Sequence, residues 1–119
     1  MVEARLLLVD DEPALLDLLK KYLERIGYLV DACTRPEDAL ALFLAAPTRY
    51  ALVLTDLTLE GMSGEEMLEQ MRVFYPELRA IISSGYPYQA QSKHTRFLQK
   101  PYVPKMLADL IAKTIRPAL

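Results

Sequence analysis

Four small polar groups in this sequence each follow a short apolar run. Asp10-Asp11-Glu12 comes after Leu6–Val9, Asp56 after Ala51–Thr55, Ser84-Gly85 after Arg79–Ser83, and Lys100-Pro101 after Arg96–Gln99. If the first and third runs are neighbouring strands, Asp10, Asp11 and Asp56 converge, and three carboxylates share a small cleft only with a counter-charge. A hard divalent cation suits such oxygen ligands, and Mg²⁺ typically takes one or two carboxylates, waters and a phosphate oxygen. Lys100 supplies a point charge for a phosphate and Ser84 a hydroxyl donor. The chemistry these residue types describe is an acidic, metal-dependent phosphoryl site.

Positioning them requires strands that end at one edge. Leu6-Leu7-Leu8-Val9 is a continuous apolar run, as expected of a strand covered on both faces. Leu29–Cys33 is the second predicted strand, and the other three runs complete five. Between them the period changes to that of helices. Leu15, Leu19, Tyr22 and Ile26 predict one apolar face that stops near Gly27, and Thr34-Arg35-Pro36-Glu37 has capping-box order before an Ala/Leu-rich helix ended by Pro47. Ser63-Gly64-Glu65-Glu66 repeats that order before a helix with Met67, Met71 and Phe74 on one face. A last helix carries Leu107, Leu110, Ile111, Thr114 and Ile115. Alternating strands and helices predict a parallel sheet with helices on both faces. Ligands of such sheets bind beyond the carboxyl ends of the strands, where strand order reverses. Residues 87–95 lack apolar periodicity and are expected to form a loop or a single turn.

Composition narrows the setting. The 119 residues, 52% of them apolar, predict a single domain, 1–119, with an ordinary core. Fourteen basic against sixteen acidic residues give a net charge of −2, which speaks against direct nucleic-acid or anionic-membrane binding. One cysteine, Cys33, forms no internal disulfide and is expected in the core. No transmembrane run or signal-peptide pattern follows Met1, so the expected address is the cytoplasm without membrane insertion.

Taken singly, each polar residue has a plainer use. Asp11 suits a helix cap before Pro13, Asp56 or Ser84 a turn, Lys100 a solvated surface. Their shared position at one sheet edge, in chain order, is what favours a site.

These same residues resemble the receiver domain of bacterial two-component response regulators over essentially the whole chain. The resemblance rests on Leu7-Leu8-Val9-Asp10-Asp11-Glu12, on Leu54-Thr55-Asp56 with Met62 and Gly64 downstream, on Ser83-Ser84-Gly85-Tyr86, and on Phe97-Leu98-Gln99-Lys100-Pro101-Tyr102. It implies a flavodoxin-like three-layer α/β fold with a five-stranded parallel sheet in the order 2-1-3-4-5. By position it makes Asp56 the phosphoacceptor, fed by a phosphohistidine of a sensor histidine kinase or phosphotransfer protein. Mg²⁺ would be held by Asp10, Asp11, Asp56 and the Thr58 backbone carbonyl. Lys100 would pair with the phosphoryl oxygens, Ser84 would swing to them, and Phe97 would be the aromatic switch. The resemblance also implies a cis Lys100–Pro101 bond. A domain of this kind assists its own phosphorylation and dephosphorylation, without being an enzyme for a free substrate, and controls a downstream effector protein.

The sequence departs from the family in three places. Leu59-Glu60 replaces the usual Met-Pro and adds a carboxylate near the metal site; Val103 stands where a capping Ser or Thr is common. The interval from Ser84 to Phe97 is roughly six residues short, so the fourth helix of the family is expected to be shortened or missing. The usual dimer mode is therefore not assumed, and Tyr86, Tyr88, Tyr102 and Phe97 are candidates for a different contact surface. The Phe97–Tyr102 segment resembles receivers attached to hybrid kinases. Two other functions stay open: a degenerate receiver serving only as a docking module, and a small aspartate-dependent phosphohydrolase, against which Thr58 stands where a second Asp is wanted.

Overall fold

The computed structural model describes residues 4–115. Nine elements alternate along them: β1 (Arg5–Val9), α1 (Pro13–Arg25), β2 (Leu29–Cys33), α2 (Pro36–Ala45), β3 (Leu52–Asp56), α3 (Gly64–Phe74), β4 (Ala80–Ser84), β5 (Thr95–Gln99) and α4 (Pro104–Ile115). All strand pairs are parallel, and the sheet runs β2-β1-β3-β4-β5, a flavodoxin-like three-layer arrangement. No helix lies between β4 and β5, as the short interval predicted. Among the described residues no helix is long and apolar enough to cross a membrane.

Two apolar layers sandwich the sheet. On one face Leu7, Val9, Val53 and Ile82 meet Phe43 of α2 and Met67, Leu68 and Met71 of α3. On the other, Leu6, Leu8, Leu54 and Ile81 meet Leu16, Leu19 and Leu23 of α1 and Leu107 and Ile111 of α4. Strict alternation of strand side chains between the faces is why every residue of β1 from Leu6 to Val9 is buried, as are all of β3 and β4.

Helix details differ from the periodicity in instructive ways. In α1 the buried residues are Leu16, Leu19 and Leu23, while Ile26 lies beyond the helix and is half exposed. The doublets Leu15-Leu16 and Leu18-Leu19 offer two overlapping stripes, and packing against α4 and the sheet selects the one a residue later. In α2 the capping box does not form. Arg35 is the N-cap, and the Glu37 carboxylate that would complete a box accepts from the Arg35 guanidinium at 2.6 Å. In α3 the box does form: Ser63 Oγ accepts from the Glu66 amide at 3.0 Å and Glu66 Oε1 accepts from the Ser63 amide at 3.3 Å. Phe74, however, is 61% exposed instead of joining Met67 and Met71. Cys33 is buried and free, and burial pushes its thiol pKa up.

Candidate functional site

Register brings the acidic residues together. Val9 of β1 pairs with Thr55 of β3, so Asp10 and Asp56 leave the sheet side by side, and Asp56 in turn lies opposite Ser83 of β4. One carboxylate oxygen from each of Asp10, Asp11 and Asp56 lies within 4.8 Å of the others. Ser84 pairs with Gln99, which puts Lys100 at the same edge, anchored by its amide to the Ser84 carbonyl at 2.8 Å. From there Lys100 Nζ reaches Asp56 Oδ1 at 2.7 Å and Asp10 Oδ2 at 3.3 Å. The Lys100–Pro101 bond is cis.

The three carboxylates have different duties. Asp10 is buried and accepts from the Glu12 amide through Oδ1 at 2.9 Å, so it supports the start of α1 while its other oxygen faces Lys100. The capping use considered for Asp11 is not made, since the N-cap of α1 is Glu12 and carries no side-chain cap bond. Asp11 is exposed at the rim, its carboxylate committed to no hydrogen bond among the described residues. Asp56 is buried, and that burial lifts its carboxyl pKa to about 6; Lys100 pulls it back and the Asp10 charge pushes it further up. Lys100 is lowered by burial, but Asp56 and Asp10 together outweigh this and hold the ammonium above its ordinary range. Two buried carboxylates and one ammonium leave negative charge uncompensated, and a hard cation ligated by oxygen is the chemistry that balances it. The residues present fit Mg²⁺.

A small cavity of about 150 Å³ opens beside Asp56, lined by Thr58, Ser84, Gly85, Tyr86 and Lys100 among others. Ser84 Oγ accepts from the Tyr86 amide at 3.1 Å, which leaves its own hydroxyl proton to donate. Thr58 lines the cavity on the Asp56 side. Glu60 is not one of the three clustered carboxylates; it is exposed and lines, with Asp11, Arg35 and Glu37, an adjoining basin of about 460 Å³. Phe97 is half buried on β5, with its ring 6.1 Å from that of Tyr88 at an angle of 58°.

The aromatic surface expected from Tyr86, Tyr88, Tyr102 and Phe97 divides. Tyr88 and Phe97 pack together on the α3 side of the sheet, whereas Tyr102 packs with the α1 and α4 layer. Burial, then the Asp10 charge, pushes the Tyr102 phenol up to about 12.

Two residues named in the motifs contribute in ways that the motifs do not assign. Gly64 opens α3 against the end of β3: a Cβ there would overlap the Asp56 carbonyl oxygen and crowd Thr55. Its amide also donates to the Leu57 carbonyl at 2.9 Å, so only glycine lets the helix approach the strand that carries Asp56. Ser83, in register with Asp56, has a buried hydroxyl with no hydrogen-bond partner among the described residues. The Ser63 box identifies Gly64 as a first helical residue; its close contact depends on distant packing.

Comparison with known proteins agrees with this geometry. The receiver of the hybrid histidine kinase CckA superposes with a TM-score of 0.87 at 26% identity, over 95% of this chain and 100% of that one. A CheY-like receiver from Methanospirillum hungatei gives 0.86 at 28%, over 96% and 94%. The hydrogenase transcriptional regulatory protein HoxA of Cupriavidus necator is 28% identical over 95% of this chain but only 24% of its own length. The chain spans 21% to 28% of the length of the first three curated relatives. The response regulator receiver domain model matches residues 6–112, and the chain belongs to that family.

Proposed function

We propose that this receiver accepts a phosphoryl group on Asp56 from a phosphohistidine of a sensor histidine kinase or phosphotransfer protein, in the cytoplasm, and passes the change to a separate effector protein. The observation that carries this is the placement of a buried Asp56 between Lys100 at 2.7 Å and the Asp10–Asp11 carboxylates, beside an open cavity. An Asp56 oxygen attacks phosphorus, the P–N bond of the donor breaks, and the electron pair leaves with the imidazole. Little covalent help is needed in such a transfer, so positioning and charge neutralisation dominate. Asp10, Asp11, Asp56 and the Thr58 carbonyl would hold Mg²⁺, which would supply charge neutralisation when bound. Lys100 pairs with the added negative charge once Asp56 is esterified.

Ser84 and Phe97 form the responding element. The Ser84 hydroxyl, released from the Tyr86 amide, donates to a phosphoryl oxygen, and Phe97 turns into the space this opens. The test is an NMR titration with beryllofluoride, a phosphoryl mimic, in the presence of Mg²⁺. Shifts at Ser84, Phe97 and Lys100 that need both components are expected; no response at these positions contradicts the proposal.

A further inference from the structure

Adjacent parallel strands are usually joined by a crossover of about a dozen or more residues carrying a helix over the sheet. Here residues 85–94 join β4 to β5 without one. The sheet face above Ile82 and Thr95 consequently opens into a groove of about 350 Å³, with α3 as one wall and the segment around Tyr88 as the other. Leu68, Val73, Ile82 and Tyr88 give it an apolar lining. The α3 residues on that wall are 65, 68, 69, 72 and 73, steps of three and four that define a single helix face. Val73 is 73% exposed on it, and Phe74 beside it is 61% exposed. A helix face and a sheet face meeting at an open corner match the shape of a second helix, seated at the usual interaxial distance of about 8–10 Å.

Charge selects the kind of helix. Glu65 and Glu69 stand on the α3 wall, and among the described residues neither makes an ion pair. The one base of the lining, Arg72, spends two guanidinium donors on the Leu78 carbonyl, at 2.7 and 3.1 Å, so the two glutamates outnumber it.

We infer that this groove is a docking site for a basic amphipathic helix of a partner protein, which occupies the layer position that the β4–β5 crossover leaves open. Apolar side chains at i, i+3 or i+4, and i+7 enter over Leu68 and Ile82, and flanking Lys or Arg side chains face Glu65 and Glu69. The inference stands apart from phosphotransfer, since no groove residue takes part in the acidic site.

The test pans the full chain against a displayed library of random peptides about 16 residues long, enough for a marginally stable helix. Enriched sequences are expected to be basic and amphipathic at helical spacing. Their affinity should fall about tenfold or more in Val73→Lys and about fivefold in Glu69→Lys, as expected for a blocked apolar anchor and a reversed charge contact. Leu29→Lys, at the far end of the sheet, should leave it unchanged. Both groove positions are exposed, so melting temperatures confirm an intact fold. The inference is overturned by enrichment of acidic or extended peptides, by binding indifferent to Val73→Lys, by failure of any sequence to enrich, or by self-association of the chain that Val73→Lys abolishes.

Discussion

The Lys100 ammonium, presented just after the edge strand β5, spans β4 to lie 2.7 Å from Oδ1 of Asp56 at the end of the central strand β3. It is also the cation paired with Asp10, so a single side chain is shared between both buried carboxylates. Lys100→Ala should therefore destabilise the protein in chelator by about 2 kcal/mol, less than the 3–5 of a fully buried pair because 22% of the lysine side chain is exposed. Urea unfolding with and without Mg²⁺ checks this. Added Mg²⁺ should recover part of the loss; an unchanged midpoint in chelator contradicts the compensating role.

Asp10 and Asp11 are adjacent but should respond differently. Asp11 is exposed and supports no hydrogen bond among the described residues, so Asp11→Asn should change stability in chelator by no more than about 0.5 kcal/mol while removing the stabilisation given by millimolar Mg²⁺. Asp10→Ala also strips the acceptor from the Glu12 amide and should cost about 1 kcal/mol or more even without metal. Melting curves of the two variants with and without Mg²⁺ decide it; equal losses in chelator would count against the division of labour.

Gly64→Ala places a methyl group against the Asp56 carbonyl, a backbone atom within a central strand that has no room to yield. The expected loss is about 2–3 kcal/mol, the range of an overpacked site. Gly85→Ala meets open space and serves as the control. Comparable denaturation midpoints for the two variants would refute the close approach.

At the opposite end of the sheet, Tyr50 is fully buried and its hydroxyl donates to Asp31 Oδ2 at 2.6 Å. Burial, reinforced by Asp31, pushes its pKa up to about 12. The folded state keeps this proton where the unfolded chain, near pKa 10, releases it, so the tyrosine's contribution is complete below about pH 10 and declines as pH approaches 12. Tyr50→Phe should be less stable by about 1–2 kcal/mol at pH 8, with the gap narrowing between pH 10 and 12. A gap independent of pH contradicts the shift.

The strands and the convergence of Asp10, Asp11, Asp56, Ser84 and Lys100 were legible because continuous apolar runs end in polar residues at matching register. The Ser63 box was legible for a similar reason, since its partners are local. What escaped depends on longer range. The leucine doublets of α1 leave its buried stripe undecided until packing selects Leu16 and Leu23, and Thr34 loses its capping role because Arg35 captures Glu37. No local pattern connects Tyr88 to Phe97 or Gly64 to the Asp56 carbonyl; both contacts follow from the short β4–β5 crossover and the α3 approach.

Phosphoryl acceptance by Asp56 is tested most directly by intact mass after incubation with Mg²⁺ and acetyl phosphate. One phosphoryl adduct is expected, absent in chelator and absent in Asp56→Asn. An adduct that persists in Asp56→Asn, or none in the native chain while the beryllofluoride mimic also fails to bind, contradicts the account.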